Sequence, residues 1–257
     1  MKKYLKRILI GTTLSLVLVT GLLVVFILYP NNLFAKRITY KAVTIYSNTP
    51  VKGDYRAVLD KATALVETAE LYDRNYQYDI FLTNGTTYKN IVFKLLGPSL
   101  ARSLDNNILL NIDADFGENL LTSPQNKRNL TRTIAHEMVH CLQVHRYGMG
   151  KFSPVNHPPL WKQEGYPEYI ACQDDMRAPG YDFMKTVSRL YKLEESKTQW
   201  VESAPGHFDP ITYFRGRVLI EYLMNVRGMR YDDILSDHVQ EQEISAALKG
   251  WYKVQGK

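Results

Sequence analysis

The chain is expected to fold as an α+β protein, with a small mixed β-sheet and a helix in an N-terminal lobe, a mainly helical C-terminal lobe, and one transmembrane helix ahead of both. Three observations carry that expectation. An uncharged apolar run fills Ile8 to Leu28, short apolar segments between residues 38 and 112 have the period of strands, and apolar residues beyond 123 recur at helical spacing around a His-Glu-Met-Val-His sequence. No repeat or low-complexity tract interrupts the 257 residues.

The first element is the apolar run. At 1.5 Å per residue it is long enough to cross a hydrocarbon core of about 30 Å. Residues 1–7, with Lys2, Lys3, Lys6 and Arg7, form a cytoplasmic tail, 8–29 the anchor and 30–37 a linker. The basic flank favours a cytoplasmic N-terminus and an exported domain, a bias that Lys36 and Arg37 weaken. A cleaved signal peptide is the competing account, with Leu33-Phe34-Ala35 as cleavage site, but the run exceeds the usual apolar core of roughly 7 to 15 residues.

The net charge of +6 and pI near 9.1 belong to this segment. The first 37 residues hold six Lys and Arg and no acid, leaving 26 charges of each sign beyond them. A formally neutral domain argues against a nucleic-acid partner. Residues 38–257 suffice for one domain, read as a β-rich lobe over 38–122 and a helical lobe over 123–257.

In the first lobe, Ile38 to Tyr46 alternates like a strand, and Pro50 and Gly53 mark a turn. Asp54 is placed to cap a helix reaching about Tyr72, with Val58, Leu59, Ala62, Leu65, Val66 and Ala69 on one face. Strands are expected at Tyr78 to Thr83, Asn90 to Leu95 and Asn107 to Ile112. The last is read either as a sheet edge that pairs with an extended peptide or as an interior strand.

Residues 136–140, His-Glu-Met-Val-His, carry the chemistry. Two histidines four apart lie about 40° apart around a helix, so both imidazoles can hold one Zn²⁺ while Glu137 faces a bound water. The pattern is expected by chance well below once in such a chain. Leu130, Ile134, Ala135, Met138, Val139 and Leu142 make the surrounding helix largely buried. His145, about 140° past His140, falls off the metal face. A third histidine ligand six residues after His140, preceded by glycine at plus three, is excluded, because Gln143 and Arg146 occupy those positions. Glu164, in Trp161-Lys-Gln-Glu164-Gly165-Tyr-Pro-Glu168-Tyr169, is the expected third ligand: two neutral imidazoles and one carboxylate leave an open fourth position. Glu168, one turn later, is placed to bond a ligating imidazole's outer N–H, with a solvated helix glutamate as the plain alternative.

His-Glu-x-x-His followed by Trp-x-x-Glu-Gly-x-x-Glu-Tyr resembles the gluzincin clan of zinc metallopeptidases, which includes thermolysin and aminopeptidase-N-type enzymes, and in particular its peptidase MA-like branch. The two motifs span some 35 residues. The resemblance implies a zincin-like fold, Glu164 as the third zinc ligand, Glu137 as general base, and peptide or protein substrates. Pro167 departs from the alanine usual in such motifs and suits a helix starting near Gly165. Asp209 to Leu223 resembles the helix after the active site in this branch, which implies Tyr213, or His207, as donor to the oxyanion. No Gly-x-Met-Glu-Asn-like segment precedes the motif, so an endopeptidase is expected over an aminopeptidase. The alternative function is a zinc-binding, non-proteolytic exported module for a peptide or cell-envelope partner.

Cys141 and Cys172 are the only cysteines, and a disulfide or two buried thiols both stay open. Asn84 and Asn129 stand in glycosylation sequons. Nothing in the sequence fixes an oligomeric state.

Overall fold

Alternation divides each central strand between two buried faces. β2 (Val43–Ser47), β3 (Tyr78–Leu82) and β5 (Asn107–Leu110) run parallel through the middle of a five-stranded sheet. β1 (Lys36–Tyr40) and β4 (Ala101–Leu104) form its two edges, each antiparallel to its neighbour. Val43, Ile45, Tyr78, Ile80, Ile108 and Leu110 join the main core, whereas Tyr46, Phe81 and Leu109 face the other way into a second cluster. Burial on both faces is why these strands read as continuous apolar runs. The computed structural model describes residues 2–124, 126–153 and 156–256. Met1, Gln125, Pro154, Val155 and Lys257 lie outside the described residues, as do the side chains of Lys2, Lys3, Leu5, Arg7 and Ile8, which include most of the basic flank.

The sheet is mixed as expected, with two local corrections and one open alternative decided. Ile38 to Tyr46 is a hairpin rather than one strand, reversing at Lys41, whose φ is 51°; the alternation runs unbroken through the turn. Asn90 to Leu95 is not a strand but lies within helix α3 (Thr87–Leu96), capped by Thr86 Oγ1, which accepts from Lys89 N at 3.1 Å, and closed by Gly97 at φ 82°. Its β-branched Ile91-Val92 pair masked the one-turn spacing of Tyr88 and Val92, which pack on the second cluster. Of the two readings of the last strand the interior one is observed for Asn107 to Leu110, and the edge on that side of the sheet is β4, whose residues 101–103 are only partly buried. Helix α2 (Tyr55–Val66) is capped by Asp54 as expected and ends short of Tyr72.

The helical half is built on α4 (Leu130–Tyr147), followed by α5 (Leu160–Gln163), α6 (Gly165–Ala171), α7 (Gln173–Arg177), α8 (Phe183–Glu195), α9 (Ile211–Glu221), α10 (Tyr231–Ile234) and α11 (Glu241–Gln255). Helix α4 packs on α2, α6 and β4. Two small sheets were not foreseen. β6 (Asp113–Asp115), β7 (Leu120–Ser123) and β8 (Asn126–Asn129) form an antiparallel ribbon across the 122/123 junction, and β9 (Trp200–Ala204) pairs with β10 (His207–Pro210). Asn126 clamps the hairpin to β8: its Nδ2 donates to the Phe208 carbonyl at 2.7 Å and its Oδ1 accepts from Phe208 N at 2.9 Å. α6 and α9 cross where Gly165 meets Gly216. A Cβ on Gly165 would lie 2.5 Å from the Gly216 carbonyl carbon, so only glycine allows this approach.

Helix α1 (Lys2–Leu28) contains one stretch, Leu9–Leu28, long and apolar enough to cross a membrane. Its last turn belongs to the folded domain. Tyr88 Oη donates to the Ile27 carbonyl at 2.7 Å and Asn107 Nδ2 to that of Leu28 at 2.8 Å. Phe26 packs on Tyr88 at 5.6 Å between centroids, and Phe34 on Phe81 at 5.2 Å. Cleavage after Ala35 would strip this cover from Tyr46, Phe81 and Leu109. A chain beginning at residue 36 is therefore expected to be less stable than one beginning at residue 26, by about 2 kcal/mol or more, from lost apolar burial and two lost bonds. Chemical denaturation of the two in parallel checks this, and equal midpoints would show that α1 only abuts the domain.

Candidate metal centre

Helix α4 starts where Asn129 Oδ1 accepts from Arg132 N at 3.0 Å, and it is buried from Thr133 to Gln143 because α2, α6 and β4 surround it. His136 and His140 lie one turn apart on its face toward α6, 6% and 9% exposed. Glu164, between α5 and α6, reaches across. Its Oε2 lies 3.3 Å from His136 Nε2 and 3.3 Å from His140 Nε2, and the two nitrogens are 3.1 Å apart. Three donors at about 2.05 Å from a tetrahedral zinc would stand about 3.3 Å from one another. The triangle has the size of that coordination face. Among the described residues this group could hold a metal ion.

Neighbouring side chains fix which nitrogen carries the proton. Gln143 Nε2 donates to the Gln163 carbonyl at 3.2 Å and to Tyr231 Oη at 2.7 Å, and Tyr231 Oη in turn donates to the Lys162 carbonyl at 3.1 Å. A carbonyl only accepts, so the Gln143 amide has one orientation, with Oε1 turned to His140 Nδ1 at 2.7 Å. His140 Nδ1 therefore donates, and its Nε2 presents a lone pair to the triangle. On His136, Nδ1 donates to Glu168 Oε2 at 3.1 Å, as the spacing of Glu164 and Glu168 suggested. Sequence reading used Gln143 only to exclude a histidine. Its place three residues after His140, on the same helix face, was the available signal.

Three electron-rich atoms at this separation require a positive charge. Without a metal the charge is a proton: burial disfavours it on His136, but bonds to Glu164 and Glu168 outweigh burial and raise the pKa to about 10. Burial works against both carboxylates too, yet the two histidines hold Glu164 well below the usual range, and His136 with Arg128 and Arg217 lowers Glu168 to about 2. A divalent cation would take the proton's place.

The remaining predicted residues surround this triangle. Glu137 is 8% exposed and lines two cavities, of about 730 and about 190 Å³, the first walled also by His136 and the second by His140 and Glu164. Tyr213, in the first turn of α9, lines both as well, and its ring stacks on His136 at 5.5 Å. Burial and the carboxylates of Glu164 and Glu137 push its phenol well above the ordinary value, so it remains a donor. His207, on β10, lines only the larger cavity. The edge strand β4 flanks the smaller one through Ala101, Arg102, Ser103 and Leu104.

Cys141 and Cys172 are free and buried. Burial pushes the Cys172 thiol up to about 12, and its Sγ lies 3.6 Å from Glu168 Oε1. His145 sits in the last turn of α4, 3.3 Å from Asp73 Oδ2 and away from the triangle. No family model, curated protein or solved structure matches this chain.

Gln143→Leu removes the acceptor at His140 Nδ1 and frees the wrong tautomer, so zinc affinity is expected to fall about 10- to 100-fold. Competition against a chelating indicator measures it, and unchanged affinity would refute the tautomer argument. Gly216→Ala forces α6 and α9 apart and is expected to cost about 1–3 kcal/mol. Thermal unfolding reads that loss, and a wild-type midpoint would show that the crossing tolerates a methyl group.

Proposed function

We propose that the protein is a membrane-anchored zinc peptidase of the gluzincin type, probing peptide or protein substrates outside the membrane with His136, His140 and Glu164 as zinc ligands. The observation that carries the reading is the convergence of those three donors, with tautomers set by Gln143 and Glu168, beside two cavities that share Glu137 and Tyr213 as walls. Catalytic zinc sites keep a fourth position open, and a cleft on that side is where a substrate must enter. The arrangement of mixed sheet, edge strand and motif helix agrees with a zincin-like fold. The charge-free stretch of α1, apolar all round, suits a lipid environment, and the basic residues ahead of it favour the reading with the N-terminus in the cytoplasm and the domain outside.

When bound, zinc supplies Lewis acidity, polarising a carbonyl and lowering the pKa of a water. Glu137 takes the proton from the attacking water and returns it to the leaving amine. Tyr213, a phenol held protonated, donates to the oxyanion of the tetrahedral intermediate. His207 faces the same cavity from β10 and serves as a second donor or as a wall for the substrate. The free backbone of β4 pairs with an extended peptide, main chain to main chain, alongside the smaller cavity. Endopeptidase action fits a cleft that continues on both sides of Glu137.

The full chain in detergent is expected to bind one zinc and to hydrolyse casein, and to lose that hydrolysis on treatment with a chelator. Glu137→Gln should retain zinc and lose peptide hydrolysis; full turnover in that variant would sink the assignment of base. Tyr213→Phe should lower kcat about 100- to 1000-fold with little change in KM. A change confined to KM would make Tyr213 a binding residue only. A zinc-loaded chain that cleaves no peptide would favour the non-proteolytic exported module.

A further inference from the structure

Four arginines line the larger cavity: Arg128, Arg132, Arg189 and Arg217. Three are engaged. Arg128 pairs with Asp209, Arg132 with Asp174 and Asp175 at 3.0 and 2.6 Å, and Arg189 donates to the Glu202 carbonyl at 2.6 Å. Arg217 is only 7% exposed, yet among the described residues it has no hydrogen-bond or ion-pair partner. Its guanidinium rests on the Phe214 ring, 5.1 Å from the centre, and Nε is sealed from solvent.

A guanidinium keeps its charge at any physiological pH and presents five donors in a planar fork. Buried guanidinium donors are bonded in stable proteins, so one that faces a cavity with none of its donors bonded leaves room for an acceptor that arrives with the ligand. The neighbouring acids act on it only through space. Glu168 takes the His136 N–H, Asp175 and Asp209 hold arginines, and Glu221, one turn on, accepts the Tyr181 hydroxyl through Oε1 at 2.6 Å and leaves Oε2 buried without a hydrogen-bond partner, so that the charges of Glu221 and Glu168 attract Arg217 without bonding it. Position adds a second constraint. Tyr213 and Arg217 are four residues apart on α9, so their side chains stand about 6 Å apart along the axis on one helix face, roughly two residues of extended chain.

Building on the peptidase reading, we propose that Arg217 receives a carboxylate of the substrate, selecting peptides that carry an anionic group within two residues of the bond to be cut. A planar fork accepts a carboxylate through two parallel bonds, a match that a lysine or a polar amide does not reproduce. The carboxylate comes either from an Asp or Glu side chain or from a free C-terminus.

The test uses the full zinc-loaded chain in neutral detergent, as Glu137→Gln so that the probes persist. Three peptides are titrated by calorimetry: acetyl-tetraalanine with a free carboxylate, its C-terminal amide, and that amide with glutamate at the third position. At least one carboxylate peptide is expected to bind about tenfold more tightly than the neutral amide, the gain of one charge-assisted pair. Whichever of the two binds more tightly identifies the source of the carboxylate. Adding Arg217→Gln should erase the preference, and Arg217→Lys should restore part of it. Equal binding of all three peptides, no binding at millimolar concentration, or a preference that survives Arg217→Gln overturns the proposal. If Arg217 serves only to balance Glu221 one turn on, Arg217→Gln lowers the melting temperature and leaves the preference intact, which overturns it too. Casein hydrolysis by the wild-type chain separates the two readings: no hydrolysis with an Arg217-dependent preference removes the peptidase reading alone, and hydrolysis without the preference removes this one alone.

Discussion

The backbone contact between Gly165 and Gly216 is the constraint on which the rest of the site depends. A Cβ on Gly216 would stand 3.0 Å from the Gly165 Cα and from the Trp161 carbonyl oxygen, so α6 and α9 touch without side chains between them. Glu164 directly precedes one glycine, and Tyr213 and Arg217 flank the other. The close crossing therefore brings groups from separate elements within reach of His136, while α4 itself is held by burial on all sides. Glycine beside Glu164 is a packing requirement of this fold, independent of any role in coordination.

The site is also a problem in charge. Two imidazole lone pairs and a carboxylate oxygen cannot share a volume without a cation among them, and the protein supports that arrangement from outside. Gln143, locked by the Gln163 carbonyl and the Tyr231 hydroxyl, decides the tautomer of His140. Tyr231 is fully buried and stacks on Tyr166 with centroids 3.8 Å apart, and Tyr166 Oη accepts from Glu70 N at 2.8 Å. Orientation at the triangle is thus referred back to the end of α2, two layers away. Such depth of support limits the freedom of the first ligands and lowers the reorganisation needed when an ion arrives.

Much of this was legible in the sequence, for definable reasons. The helical period around residues 136–140, the Glu164-Gly165 pair and the Asp54 cap are local signals, and the structure places them as read. The five strands were only partly legible. Tyr78 to Leu82 and Asn107 to Leu110, buried on both faces, advertise themselves, whereas the edge strand Ala101 to Leu104, with Arg and Ser on it, carries no such pattern. The α3 error came from weighing β-branched residues above the caps at Thr86 and Gly97. Gln143 and Arg217 were invisible as site residues because their meaning lies in what they touch, or do not touch, across the fold. The β9–β10 hairpin escaped notice because its attachments, the Asn126 clamp, the Arg128–Asp209 pair and the bond from Lys127 N to the Gly206 carbonyl, lie about 80 residues away in sequence.

The carbonyls of Ile27 and Leu28 accept bonds from Tyr88 and Asn107, so the domain itself caps the end of α1. Those two bonds, with Phe26 packed on Tyr88, tie the last turn of α1 to the domain. Whatever surface takes up α1 thereby sets the azimuth and height of the cleft, as a soldered mount fixes an instrument and a chain does not. Were that surface a membrane, the cleft would stand at one elevation and one bearing above it, and only what reaches that point could enter.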